Sequence, residues 1–140
     1  MNVILGILVG AACLVLQALL AIAALRYYMG RDARPPAPSV WHALPVMLVV
    51  LLLLTIGTLL QISLWAALFV WLDEFPTFIG AVYHSAVNFA TLGYGDIVMS
   101  EDHRLLGPLE AINGVMMIGV STAVFMAVFQ DVLKGIGAHR

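Results

Sequence analysis

Thr91-Leu92-Gly93-Tyr94-Gly95-Asp96 is the stretch that decides how this chain is read. Gly93 and Gly95 stand at alternate positions, and glycine takes backbone angles at positive φ at little steric cost. A segment that visits such angles at every second residue can turn consecutive carbonyl oxygens to one side, which an ordinary strand does not. Tyr94, between the glycines, then points away from that row of oxygens. The competing reading is a glycine-rich surface turn, and the six residues alone do not choose between the two. Their surroundings do.

Hydrophobic residues fill 63% of the 140 positions and charged residues only 10%, with a mean hydropathy of +1.05. Soluble domains carry about 25% charged residues. The apolar residues lie in long runs, so the chain reads as an all-α membrane protein rather than a soluble domain. A net charge of −2 with no basic run excludes a nucleic-acid partner. Cys13 is the single cysteine and sits inside an apolar run, so it implies neither a disulfide framework nor a metal site. With no phosphate loop, catalytic triad or zinc ligand set, the sequence points away from an enzyme and from a bound cofactor.

Three runs are long enough for a bilayer, which needs about 20 apolar residues. The first covers residues 3–25, with Gln17 as its one strongly polar side chain. A signal peptide fits it poorly, because no positive residue precedes the run and its length exceeds the usual apolar core of such peptides. Pro35, Pro36 and Pro38 mark an extended linker. The second run spans 40–72. Ser39 is expected to cap a short interfacial segment holding Trp41 and His42, and Pro45 to open the spanning helix. The third run spans 105–129. Between the second and third, residues 75–90 are apolar but too short to cross, and they predict a re-entrant helix that starts at Pro76-Thr77 and ends near Ala90. The domain reading is therefore an added N-terminal helix (1–30), a linker with its interfacial segment (31–45), a unit of two spans around the re-entrant segment (46–131) and a short tail (132–140).

Basic residues set the expected orientation. Arg26, Arg31, Arg34, Lys134 and Arg140 flank one side and Arg104 the other, so the linker and C-terminus are expected in the cytoplasm and Met1 outside. Asp73, Glu74, Asp96, Glu101 and Asp102 then form an acidic outer rim that concentrates cations at low salt.

From Ala81 to Asp96 the sequence Ala-Val-Tyr-His-Ser-Ala-Val-Asn-Phe-Ala-Thr-Leu-Gly-Tyr-Gly-Asp resembles the pore helix and selectivity filter of bacterial two-helix and voltage-gated potassium channels. The similarity extends over about residues 46–130. It implies that the carbonyls of Thr91, Leu92, Gly93 and Tyr94, with the Thr91 hydroxyl, coordinate dehydrated K+. Gly95, Asp96, His84 and Val87 would support that filter. Gly114 or Gly119 would serve as a gating hinge in the inner helix, and Val98, Glu101 and Asp102 would ring the outer mouth. Members assemble as tetramers, in keeping with the fact that one strand cannot surround an ion. The partners implied are three further copies of the chain, the lipid bilayer and K+, in a bacterial inner membrane.

The chain departs from the family pattern at several points. Val87 stands where many members carry a carboxylate paired with the filter aspartate. His84 replaces a tryptophan, so it either loosens the aromatic cuff around Tyr94 or hydrogen-bonds a neighbour. Ala90-Thr91-Leu92 stands for Thr-Thr-Val. Glu110 suits the positive start of the inner helix or has a buried partner behind the filter, with His84 a candidate. Gln61 and Asn113 are expected to bond between helices, Gly6 and Gly10 to allow close helix packing, and Ser121 and Thr122 to line a cavity or bond back to their own helix. No arginine series crosses the first helix, so a voltage sensor is absent from it. That helix is expected at the periphery, because the pore unit is complete without it. The function implied is a potassium-selective channel that conducts passively. The rivals are a nonselective monovalent cation channel and a nonconducting subunit of a larger assembly.

Overall fold

The computed structural model describes residues 2–30 and 40–137, and the proline linker and Ser39 lie outside them. Among the described residues four helices succeed one another: α1 (Asn2–Gly30), α2 (Val40–Trp71), α3 (Phe78–Phe89) and α4 (Leu106–Gly137). Helices α1, α2 and α4 are long and apolar enough to cross a membrane. Helix α3, at 12 residues, spans about 18 Å and cannot. This is an all-α membrane protein with three spans and a short helix between the last two.

Two element boundaries differ from expectation. Helix α2 begins at Val40 and runs unbroken through Trp41 and Pro45, so there is no separate interfacial segment. Pro45 forfeits one hydrogen bond close to the helix start, where little of the ladder has yet formed, and the helix continues past it. Helix α4 passes Phe129 and ends at Gly137. Charge ends an apolar run but not a helix, and Lys134 in the last turn favours the negative helix terminus.

Helix α1 lies against both α2 and α4. Near the α3 end the shared core is built from Cys13, Ile62, Trp65, Phe69, Phe75, Phe89, Leu106 and Met117. A second cluster at the far end joins Ala24, Val50, Leu54 and Val128. Between them runs a polar tie: Gln61 Nε2 donates to Gln17 Oε1 at 2.7 Å, and Gln17 Nε2 donates to Ser121 Oγ at 2.8 Å. At the far end the Tyr28 hydroxyl donates to Asp131 at 2.7 Å. Helix α1 thus packs along both long helices of its own chain. Gly6 does make a close approach, facing Leu106 and Leu109, but Gly10 faces open space. Gly57 does the work assigned to Gly10, taking Leu20 against its bare backbone. Gln61 bonds between helices as expected. The Asn113 amide nitrogen has no hydrogen-bond partner among the described residues. Thr122 donates back to the Ile118 carbonyl at 2.9 Å.

Candidate functional site

Helix α3 has a defined start. Thr77, in an extended conformation, accepts the Gly80 N–H at 3.2 Å with its side chain, and Pro76 just before it forbids an earlier helical turn. Ala81, His84, Ser85, Val87 and Phe89 turn inward.

Its end is a Schellman motif. The Thr91 N–H donates to the Asn88 carbonyl at 2.8 Å and the Leu92 N–H to the Val87 carbonyl at 2.9 Å. That motif needs a left-handed residue, usually glycine, and here it is Thr91, at φ +59°. A β-branched residue at positive φ is a genuine outlier. Gly93 at +57° and Gly95 at +74° continue the alternation, so residues 91, 93 and 95 are all left-handed. A methyl group on either glycine would meet nothing within 4 Å, so the requirement for glycine there comes from the backbone angle alone.

The strand beyond Thr91 is fastened at both ends and bare between. The Tyr83 hydroxyl donates to Asp96 at 2.7 Å, and this carboxylate raises the Tyr83 phenol above its ordinary value. His84 Nδ1 donates to the Ile97 carbonyl at 3.1 Å. Among the described residues, Gly93, Tyr94 and Gly95 form no hydrogen bond within the chain. Leu92 is 56% exposed, Tyr94 66% and Val98 75%. Glu101 is exposed and pairs with Arg104, and Asp102 is exposed beside it.

Behind the strand the packing is close. His84 meets the rings of Phe75 and Phe69 at 4.9 and 5.7 Å. Burial holds its imidazole below the ordinary histidine value, against the pull of Ile97, Asp96 and Glu74. His84 therefore serves its own chain, bonding neighbours on either side. Val87 is buried and brings no carboxylate to Asp96; Tyr83 supplies the partner instead. Glu110 does have partners behind the filter segment, buried Ser85 and half-buried Asn88, and Asn88 Nδ2 reaches on to His84 Nε2 at 2.9 Å.

The two inner-helix glycines differ. A methyl on Gly114 would sit 2.1 Å from the Phe89 carbonyl oxygen, so α4 crosses the last turn of α3 at backbone contact. Gly119 faces open space, and α4 continues unbroken through both. Beside the strand, Glu74 accepts the Ser100 N–H at 2.8 Å, pairs with His103 and also accepts the Ser100 hydroxyl. Burial pushes the Glu74 carboxyl up, but those Ser100 and His103 bonds outweigh it and hold the group below the usual carboxylate range. Sequence reasoning missed Tyr83 and this clasp; the one available signal was an acceptor, Asp96, left without its usual partner.

A family model described as "Ion channel" matches residues 48–131, well over half of the chain. No curated protein and no solved structure matches.

Proposed function

Because the chain belongs to this ion-channel family of two-helix pore domains, we propose that it conducts K+ selectively and passively, with residues 91–96 as the filter of a homotetrameric pore. The observation that carries the reading is the left-handed run at 91, 93 and 95, opened by a threonine where glycine would fold more easily. Alternating left- and right-handed residues turn successive carbonyls to one side, which suits a file of dehydrated cations. A strained residue that persists is a pointer to function. Here the gain would be the Thr91 hydroxyl as a further oxygen ligand, beside the carbonyls of Thr91, Leu92, Gly93 and Tyr94.

The bare polar backbone of 93–95 supports assembly. Exposed peptide groups at membrane depth are tolerated only against protein or a water-filled path, and three further copies around an axis would supply both. In this reading residues 46–131 are the pore domain, 1–30 an added helix, 31–45 a linker and 132–140 a tail. The basic residues argue for a cytoplasmic C-terminus, and the resemblance to bacterial channels suggests a bacterial inner membrane. Gly119, with space around it, is the better hinge candidate, because Gly114 is committed to α3. Gly95, Asp96, His84 and Val87 support the filter, and Val98, Glu101 and Asp102 surround its outer mouth.

Reversal potentials of the purified protein in opposed K+ and Na+ gradients test this. A potential close to that of K+ is expected. A potential near zero, with both ions carried equally, would mean a nonselective channel. A protein that forms no tetramer and passes no current unless another chain is present would mean a nonconducting subunit.

A further inference from the structure

Glu110 has none of its surface exposed, and its hydrogen-bond partners, Ser85 and Asn88, carry no charge. The titratable side chains that face it are His84 on α3, reached through Asn88, and Cys13 on α1. An ionised carboxylate buried without a cation is strongly disfavoured.

The protons around it can be counted. Ser85 Oγ lies against two acceptors, the Ile62 carbonyl at 2.9 Å and Glu110 Oε1. A hydroxyl has one proton, and a carbonyl can only accept. If Ser85 donated to Glu110, its oxygen would face the Ile62 oxygen lone pair to lone pair. If Glu110 carries a proton, the chain closes: the acid donates to Ser85, and Ser85 donates to Ile62. Asn88 agrees with this. One amide hydrogen goes to His84 Nε2 at 2.9 Å and the other toward Glu110 Oε2 at 3.4 Å, while His84 Nδ1 donates to Ile97. Every donor has an acceptor when Glu110 and His84 are both neutral.

The same residues launch the strand. The Asn88 carbonyl accepts the Thr91 N–H at 2.8 Å, and Gly114, one helical turn beyond Glu110, rests on the Phe89 backbone. We propose that Glu110 is retained as the neutral acid and, by donating to Ser85, is a positioning residue that locks α4 to α3 so that the strand leaves α3 at Thr91 in its working register. It touches no ion. The proposal rests on the filter reading of residues 91–96.

The test has an infrared arm and a transport arm, on full-length protein in lipid nanodiscs and planar bilayers. Near neutral pH the wild type should show the carbonyl stretch of a protonated carboxylic acid, absent from Glu110→Gln and displaced in Ser85→Ala. Glu110→Gln keeps an N–H for Ser85 and an oxygen for Asn88, so its preference for K+ over Na+ should equal the wild type's. Glu110→Leu keeps the volume and loses both bonds, and should lower that preference roughly tenfold, as loss of a buried bonded pair would. Ser85→Ala should fall in the same direction and carries the transport arm if the leucine variant fails to assemble. Absence of that acid carbonyl stretch from the wild type overturns the proposal. So does a glutamine variant that behaves like leucine, or Ser85→Ala and Glu110→Leu that both keep full selectivity. A wild type that never discriminates K+ from Na+ defeats the filter reading instead, and the infrared arm still decides the proton.

Discussion

Helices α2 and α3 end in the same way and with different residues. Glu74 donates its N–H to the Phe69 carbonyl and Asp73 to that of Val70, reproducing at α2 the bond pattern of Leu92 and Thr91 at α3. The left-handed residue is Asp73 at φ +57° in one and Thr91 at +59° in the other. Aspartate is several-fold enriched at such angles, whereas a β-branched residue there is an outlier. The α2 end is thus explained by its fold alone. At the α3 end the residue is a poor choice for the fold, and something other than folding must favour it. The chain beyond each end differs accordingly: a clasped loop after Asp73, a bare strand after Thr91.

The largest expected effect comes from undermining the α3 end. Gly114→Ala puts a methyl 2.1 Å from the Phe89 oxygen, and overpacking against backbone costs about 1–3 kcal/mol or more. Thermal unfolding should show marked destabilisation, and Gly119→Ala, in open space, should show almost none. Equal behaviour of the two would mean that α4 and α3 do not meet at Gly114.

Next is Gly93→Ala. The left-handed angle costs an alanine about 1–2 kcal/mol, too little to unfold a domain of ordinary stability. The variant should therefore fold and lose selective conduction, read by reversal potential. Survival of selectivity would sink the filter assignment.

A matched pair sharpens the comparison itself. Thr91→Gly relieves the left-handed strain, worth about 1–2 kcal/mol, against a glycine entropy cost of about 0.5–1 kcal/mol. It should raise the melting temperature slightly while weakening K+ binding. Asp73→Gly should change neither by much. Thr91→Gly with unaltered ion binding would mean that the hydroxyl is no ligand.

The smallest effect is a pH dependence at the α2 end. A glutamate held below its ordinary value stabilises the fold above that ordinary value, about 4.3, and loses the contribution as pH falls through its own lowered value. The melting temperature of wild type should therefore exceed that of Glu74→Gln at neutral pH, and the gap should close in acid below the ordinary carboxylate range. A constant gap would mean that the Ser100 and His103 contacts do not depend on the charge.

The amino-acid sequence makes part of this legible and hides the rest for identifiable reasons. Spans α1, α2 and α4 are visible as apolar runs, and the start of α3 as Pro76-Thr77, because burial and capping are local. Pro45 suggests a boundary that α2 does not have, since one missing hydrogen bond near a helix end does not stop the helix. The charges after Phe129 suggest an end that α4 does not have, because hydropathy marks where a membrane stops, not where a helix does. Left-handed backbone is legible at Gly93 and Gly95 and invisible at Thr91, whose angle is imposed by the two capping bonds. Tyr83–Asp96 and Ser85–Glu110 join residues 13 and 25 positions apart, and no periodicity announces such pairs. The place of Glu110 implies a buried partner, but nothing local singles out Ser85.

Helix length has a mechanical consequence. At 32 residues each, α2 and α4 measure about 48 Å, against a hydrocarbon core of about 30 Å. Tilt alone would need an inclination of roughly 50°, beyond the 0–40° over which such helices lean. At any such tilt part of each helix therefore lies outside the hydrocarbon core. Because α3 packs against both, any change in their inclination would also turn the frame that holds Thr91.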